Sequence, residues 1–113
     1  MEYELFKASL YEGLEFRKSK VTSKILKIEN DGIRYSIGKN GNFKKVTFEE
    51  FQSAFKEIGV NGCLTRNWYN HTFPVQAKVA SCNFTTIGGL LQHISYVSYS
   101  TGVYTEIESM TNK

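Results

Sequence analysis

The stretch from Val46 to Gly59, VTFEEFQSAFKEIG, constrains the fold more than any other, because its apolar residues recur at the period of a helix. Phe48, Phe51, Ala54, Phe55 and Ile58 line one face, and Glu49, Gln52, Ser53, Lys56 and Glu57 line the other. Thr47 stands where a hydroxyl can cap the first free amides, and Glu50, three residues on, can reach back to the cap amide. This assigns Glu50 to the helix surface in a capping role. Gly59 can adopt the left-handed conformation that ends the helix. A rod with one aromatic stripe must bury it against a second layer.

The preceding segment supplies that layer, since its apolar period drops to two. Leu14 and Phe16, then Leu26 and Ile28, then Ile33, Tyr35 and Ile37 alternate with polar partners. Asn30-Asp31-Gly32 and Asn40-Gly41 carry the residue types that tolerate tight hairpin turns. The pattern predicts a three- or four-stranded antiparallel meander over residues 14–46, covered on its apolar face by the central helix. A short helix within Glu2–Tyr11 is expected before it, stopped by Gly13, with a starting strand as the rival. After it, Thr65 caps a helix from Arg66 to His71 that Pro74 ends, and Thr85 or Thr86 starts another that runs from Ile87 to Ile94. Gly88 and Gly89 are unfavourable inside a helix and so must permit close backbone packing or close approach of a partner. Tyr96–Tyr99, a turn at Ser100-Thr101-Gly102 and Val103–Ile107 form a closing hairpin, and Ser109–Lys113 a frayed end. The fold class is α+β, a small antiparallel β-meander under a central amphipathic helix with further short helices and a C-terminal hairpin. At 113 residues it forms a single domain with a core of its own.

Composition narrows the function classes. No apolar run approaches the length of a membrane span, and the charged start MEYELFK lacks the apolar centre of a signal peptide, so a cytoplasmic address and no membrane partner are expected. The two cysteines, Cys63 and Cys82, are too few for a disulfide framework and read as reduced thiols. Net charge is +3, but it is unevenly spread. Between Phe16 and Phe48 nine basic residues face two acidic ones, Glu29 and Asp31, a net +7. From Ile58 to Thr105 there is no Asp or Glu at all, and only Arg66 and Lys78 carry charge.

Catalytic and metal chemistry find weak purchase. Cys63, His71, Cys82 and His93 lack the short paired spacings that present two zinc ligands from one turn, so no metal or other cofactor is expected. A cysteine nucleophile would need one of those imidazoles beside it, and no spacing favours that. Paired carboxylates are missing from the loop-rich half, and Thr85-Thr86-Ile87-Gly88-Gly89 lacks the lysine of a phosphate-binding loop. The chain reads as non-enzymatic.

Binding has more support. Arg17, Lys18, Lys20, Lys24, Lys27, Arg34, Lys44 and Lys45 can hold phosphates, with Lys24, Lys27, Arg34, Arg17 and Lys45 on the sheet face opposite the phenylalanines. Arg66, Asn67, Trp68 and Tyr69 gather base-reading and base-stacking side chains in one short helix, the rival reading being that Trp68 and Tyr69 pack into the core while the polar members cap and solvate it. The expected function is therefore a non-catalytic nucleic-acid-binding module for DNA or RNA. The alternative is a protein-interaction module or inhibitor that meets an acidic protein, or a homodimer formed through the uncharged half.

The run from Phe16 to Phe55, with its Asp31-Gly32 and Asn40-Gly41 turns, and the following Leu64-Thr65-Arg66-Asn67-Trp68-Tyr69 resemble small hairpin-then-helix modules of bacterial and phage proteins. Some of those modules stand beside restriction-type nuclease domains. The resemblance covers about Phe16 to Tyr69 and implies a DNA-associated accessory role with no catalytic residue to carry over.

Overall fold

The computed structural model describes residues 3–18, 21–38 and 41–107. A short helix, α1 (Tyr3–Ala8), leads into a four-stranded antiparallel meander, β1 (Glu15–Arg17), β2 (Thr22–Glu29), β3 (Gly32–Ile37) and β4 (Asn42–Thr47), paired in sequence order. Then follow α2 (Phe48–Asn61), β5 (Cys63–Leu64), α3 (Arg66–Thr72), α4 (Pro74–Val79), α5 (Asn83–His93), β6 (Val97–Ser100) and β7 (Val103–Glu106). β5, β7 and β6 form a second antiparallel sheet with β7 at its centre. This is the expected α+β class. Among the described residues no helix is long and apolar enough to cross a membrane. The expected frayed end, Ser109–Lys113, lies outside the described residues.

The meander turns Phe16, Ile25, Ile33, Tyr35 and Val46 to the helices, all at most 1% exposed. α2 lays Phe51, Ala54 and Ile58 on this layer, and α5 adds Phe84, Ile87, Leu90 and Leu91. Burial of so many large apolar groups is the main stabilising term, at roughly 1.5–3 kcal/mol per fully buried side chain. α5 sits close because of its glycines. A Cβ on Gly88 would lie 2.2 Å from the Tyr104 ring, and one on Gly89 would lie 3.0 Å from the Arg17 carbonyl oxygen. The two residues that weaken the helix are the ones that let it touch both sheets.

Several boundaries differ from expectation for identifiable reasons. α2 runs past Gly59 for another half turn, and Gly62, at φ +79°, takes the left-handed cap and donates its amide to the Ile58 carbonyl. Its N-terminal capping box forms as expected from Thr47 and Glu50. Pro74 does not merely end a helix; it starts α4, where its missing amide is harmless. α5 begins at Asn83, ahead of the threonines that look like caps. In β2 an irregularity between Ile25 and Lys27 shifts the register, so Ile25 turns inward and Leu26, expected inward, is 44% exposed. Glu50 is 0% exposed and belongs to the interior, not to the helix surface.

Candidate functional site

The outer face of the meander is fixed by register. Lys27 stands opposite Arg34, and Arg34 opposite Lys45, so three cations form one row across β2, β3 and β4. Like charges directly opposite on a sheet repel. Glu29 answers this by binding Arg34 Nε at 2.6 Å and Lys45 Nζ at 2.9 Å, while Asp31 in the turn holds Lys45 Nζ at 2.7 Å. The hydrogen bonds from Arg34 and Lys45 hold the Glu29 carboxyl down at about 2, and Asp31 and Glu29 together raise the Lys45 ammonium.

Next along the same face, Lys24 stands opposite Glu15 and Arg17 opposite Thr22. Arg17, Lys24 and Lys27 are exposed and form no ion pair among the described residues. Phe43, half exposed, shares this face, and the Arg34 guanidinium lies 5.3 Å from its ring centre. Leu26 adds a second exposed apolar group. Charge counting passes over both, although Phe43 is in phase with Lys45 and out of phase with Val46.

The remaining expected contacts fall elsewhere. Lys20 lies outside the described residues. Lys44 is opposite Tyr35 and hence on the helical side, where its ammonium donates to the Val79 carbonyl at 2.9 Å. Lys18 is 8% exposed, in phase with Leu14 and Phe16, and burial lowers its pKa. It does not belong to the outer face. α3 lies on the helical side as well. Arg66 there donates to the Ser81 carbonyl at 2.6 Å and covers the Phe84 ring, so it tethers α3 to α5. Asn67 is exposed and Trp68 half buried, edge-on to Phe73. Tyr69 departs furthest from its expected role. It is 0% exposed, and its hydroxyl donates to Glu50 Oε1 at 2.5 Å, so it cannot stack on a base.

That last bond belongs to a buried polar network. Glu50 also accepts from Asn83 Nδ2 at 3.2 Å and from the Thr47 amide and hydroxyl at 3.0 Å each. Four donors fill the acceptor sites of a carboxylate without any cation. Asn83 Nδ2 donates to the Lys45 carbonyl too, which turns its Oδ1 toward Tyr35, whose hydroxyl donates to it at 2.5 Å. The Tyr35 oxygen lies 3.0 Å from Cys82 Sγ. Having given its only proton to Asn83, Tyr35 accepts here and the Cys82 thiol donates. Burial above all pushes Tyr35 and Tyr69 well above the ordinary phenol range.

Among the described residues no group of three or more His, Cys, Asp and Glu side chains is placed to hold a metal ion. No protein-family model, curated protein or solved structure matches the chain.

Proposed function

We propose that the protein is a non-catalytic module that binds nucleic acid through the outer face of its four-stranded sheet. The observation that carries the reading is the cross-strand row Lys27, Arg34 and Lys45. Glu29 and Asp31 relieve the like-charge repulsion at Arg34 and Lys45 within the fold, so an approaching polyanion meets Lys27 first and takes up Arg34 and Lys45 by exchange with those exposed carboxylates. Lys24 and Arg17 extend the row along the face, and Phe43, already under the Arg34 guanidinium, offers a ring on which a base can stack. The binding set is smaller than the basic composition suggests: Arg17, Lys24, Lys27, Arg34, Lys45 and Phe43.

A second reading rests on Leu26 and Phe43. Two exposed apolar groups among the cations also suit an acidic protein partner. Titration of a labelled oligonucleotide, single-stranded and duplex, at several salt concentrations separates the two. Wild-type protein should bind with a salt slope, and Lys24→Glu with Lys27→Glu should flatten that slope by roughly 1.4 to 1.8, at about 0.7–0.9 for each phosphate no longer neutralised. Absence of binding at low salt, or a double variant that binds like wild type, overturns the nucleic-acid reading.

A further inference from the structure

A cleft of about 240 Å³ opens on the inner side of the sheet between the β1–β2 and β3–β4 ends, lined by Lys18, Val21, Ser23, Ile37, Gly38, Cys82 and Thr85. At roughly 30 Å³ per water it holds about eight water molecules, which is the size of a small metabolite rather than of a polymer. Its walls contain a cation and no acid. The Lys18 ammonium lies 4.7 Å from the Tyr35 ring centre, and among the described residues no carboxylate pairs with it.

A buried ammonium without a counter-ion is expensive, and the face of one phenol ring offsets only part of that. Among the described residues the cleft walls do not supply the missing charge. The Cys82 thiol is bonded to Tyr35, and the Thr85 hydroxyl donates to the Cys82 carbonyl at 3.0 Å. Lys18 itself lines the cleft, so an anion seated there lies beside it. The other walls are Ser23, whose hydroxyl sits in a residue 3% exposed, and the apolar side chains of Val21 and Ile37.

We propose that this cleft is a binding site for a small organic anion, whose carboxylate or phosphate pairs with the Lys18 ammonium while its apolar part lies on Val21 and Ile37. The site is separate from the outer face, so it stands whether or not nucleic acid binds there. Burial lowers the Lys18 pKa, and a bound anion restores it, so occupancy and protonation of Lys18 are linked.

The test is an amide chemical-shift titration of the intact chain with acetate, inorganic phosphate, benzoate and phenyl phosphate. Saturable shifts should centre on Val21, Ser23, Ile37, Gly38, Cys82 and Thr85, with affinity on the order of 1 mM. Benzoate and phenyl phosphate should bind more tightly than acetate and inorganic phosphate, and comparison within each pair assigns the headgroup. Lys18→Met should weaken binding by about tenfold, the loss of one charge-assisted bond, whereas Lys24→Glu with Lys27→Glu should leave it unchanged. Alkylation of the wild-type protein supplies a second readout if Lys18→Met fails to fold. Phenyl phosphate should slow labelling of Cys82 several-fold and leave Cys63 as it is. Shifts scattered over the exposed lysines and retained in Lys18→Met, or an unchanged Cys82 rate at saturating phenyl phosphate, overturn the proposal.

Discussion

On the outer face of the sheet Glu29 and Asp31 hold Arg34 and Lys45 by ionic contacts open to water, whereas on the inner side Glu50 is fully buried and meets only neutral donors. Lys45 belongs to both, its ammonium outside and its carbonyl accepting from Asn83 within. The contrast teaches what each kind of polar contact is for. Exposed ion pairs add little stability, commonly under about 1 kcal/mol, and can be exchanged for a ligand. A buried, saturated network fixes which elements meet, because any broken member leaves an unsatisfied group in a dry interior. Through Glu50, Tyr69, Asn83 and Tyr35 this network ties α2, α3, α5 and β3 together.

The largest expected effect tests that assignment. Glu50→Ala removes the capping box and strips partners from Tyr69, Asn83 and Thr47, so it should destabilise the fold by about 3 kcal/mol or more in urea unfolding. Glu49→Ala, one residue away and exposed, should stay within about 0.5 kcal/mol. Equal effects would erase the distinction between the two kinds of acid.

Two glycines give the next largest pair, with opposite signs. Gly88→Ala drives a methyl group into the Tyr104 ring and should cost about 1–3 kcal/mol. Gly59→Ala meets nothing within 4 Å inside α2 and should stabilise by about 0.4–1 kcal/mol. Thermal melting of both variants reads the signs directly.

The glycine pair also shows where the sequence is legible. A period of two from Leu14 to Val46 and the Thr47–Glu50 box are local signals, and both elements form where those signals stand. Which glycine caps α2 is decided by what lies beyond the helix. β5 pairs with β7 far along the chain, and that pairing lets the helix run to Gly62. Glu50 looks like a surface acid from its neighbours alone, because its burial depends on Tyr69 and Asn83, distant in sequence. Arg17, Arg34 and Lys45 follow from alternation, whereas Lys24 and Lys27, three residues apart, share the outer face only through the irregularity between Ile25 and Lys27; charge alone also gathers in Lys44 and Lys18, which alternation places inward. Phe43 is visible in the same phase argument, while the cleft beside Cys82 needs α5 packed on β1 and has no local signature.

Two pH limbs sharpen the comparison further. Glu29 has a folded pKa of about 2 against an ordinary 4.5, so its contribution is present above about 4.5 and disappears as pH falls through 2. The carboxyl resonance of Glu29 should titrate near 2, and Arg34→Gln should move it back toward 4.5. Tyr35 and Tyr69 are raised from 10.0, so their contribution is present below that value and is lost as pH rises above it, because only the unfolded chain releases those protons readily. Phenolate absorbance should show both tyrosines silent until the protein unfolds. Ionisation of either in the folded state at pH near 10 would mean that the network is open to water.

The smallest effect bears on function. Glu29→Gln removes the charge that occupies Arg34 and shares Lys45, while Asp31 still holds Lys45. Stability should change little, since the pairs are partly exposed and screened. Affinity for an oligonucleotide should rise slightly, and its salt slope should steepen by up to about 0.9, the weight of one further phosphate neutralised. If Arg34 is instead a structural cation that Glu29 keeps in place over Phe43, the slope stays the same and base stacking on Phe43 weakens. The direction of the slope thus decides whether the acid in the middle of the cationic row restrains a binding residue or positions it.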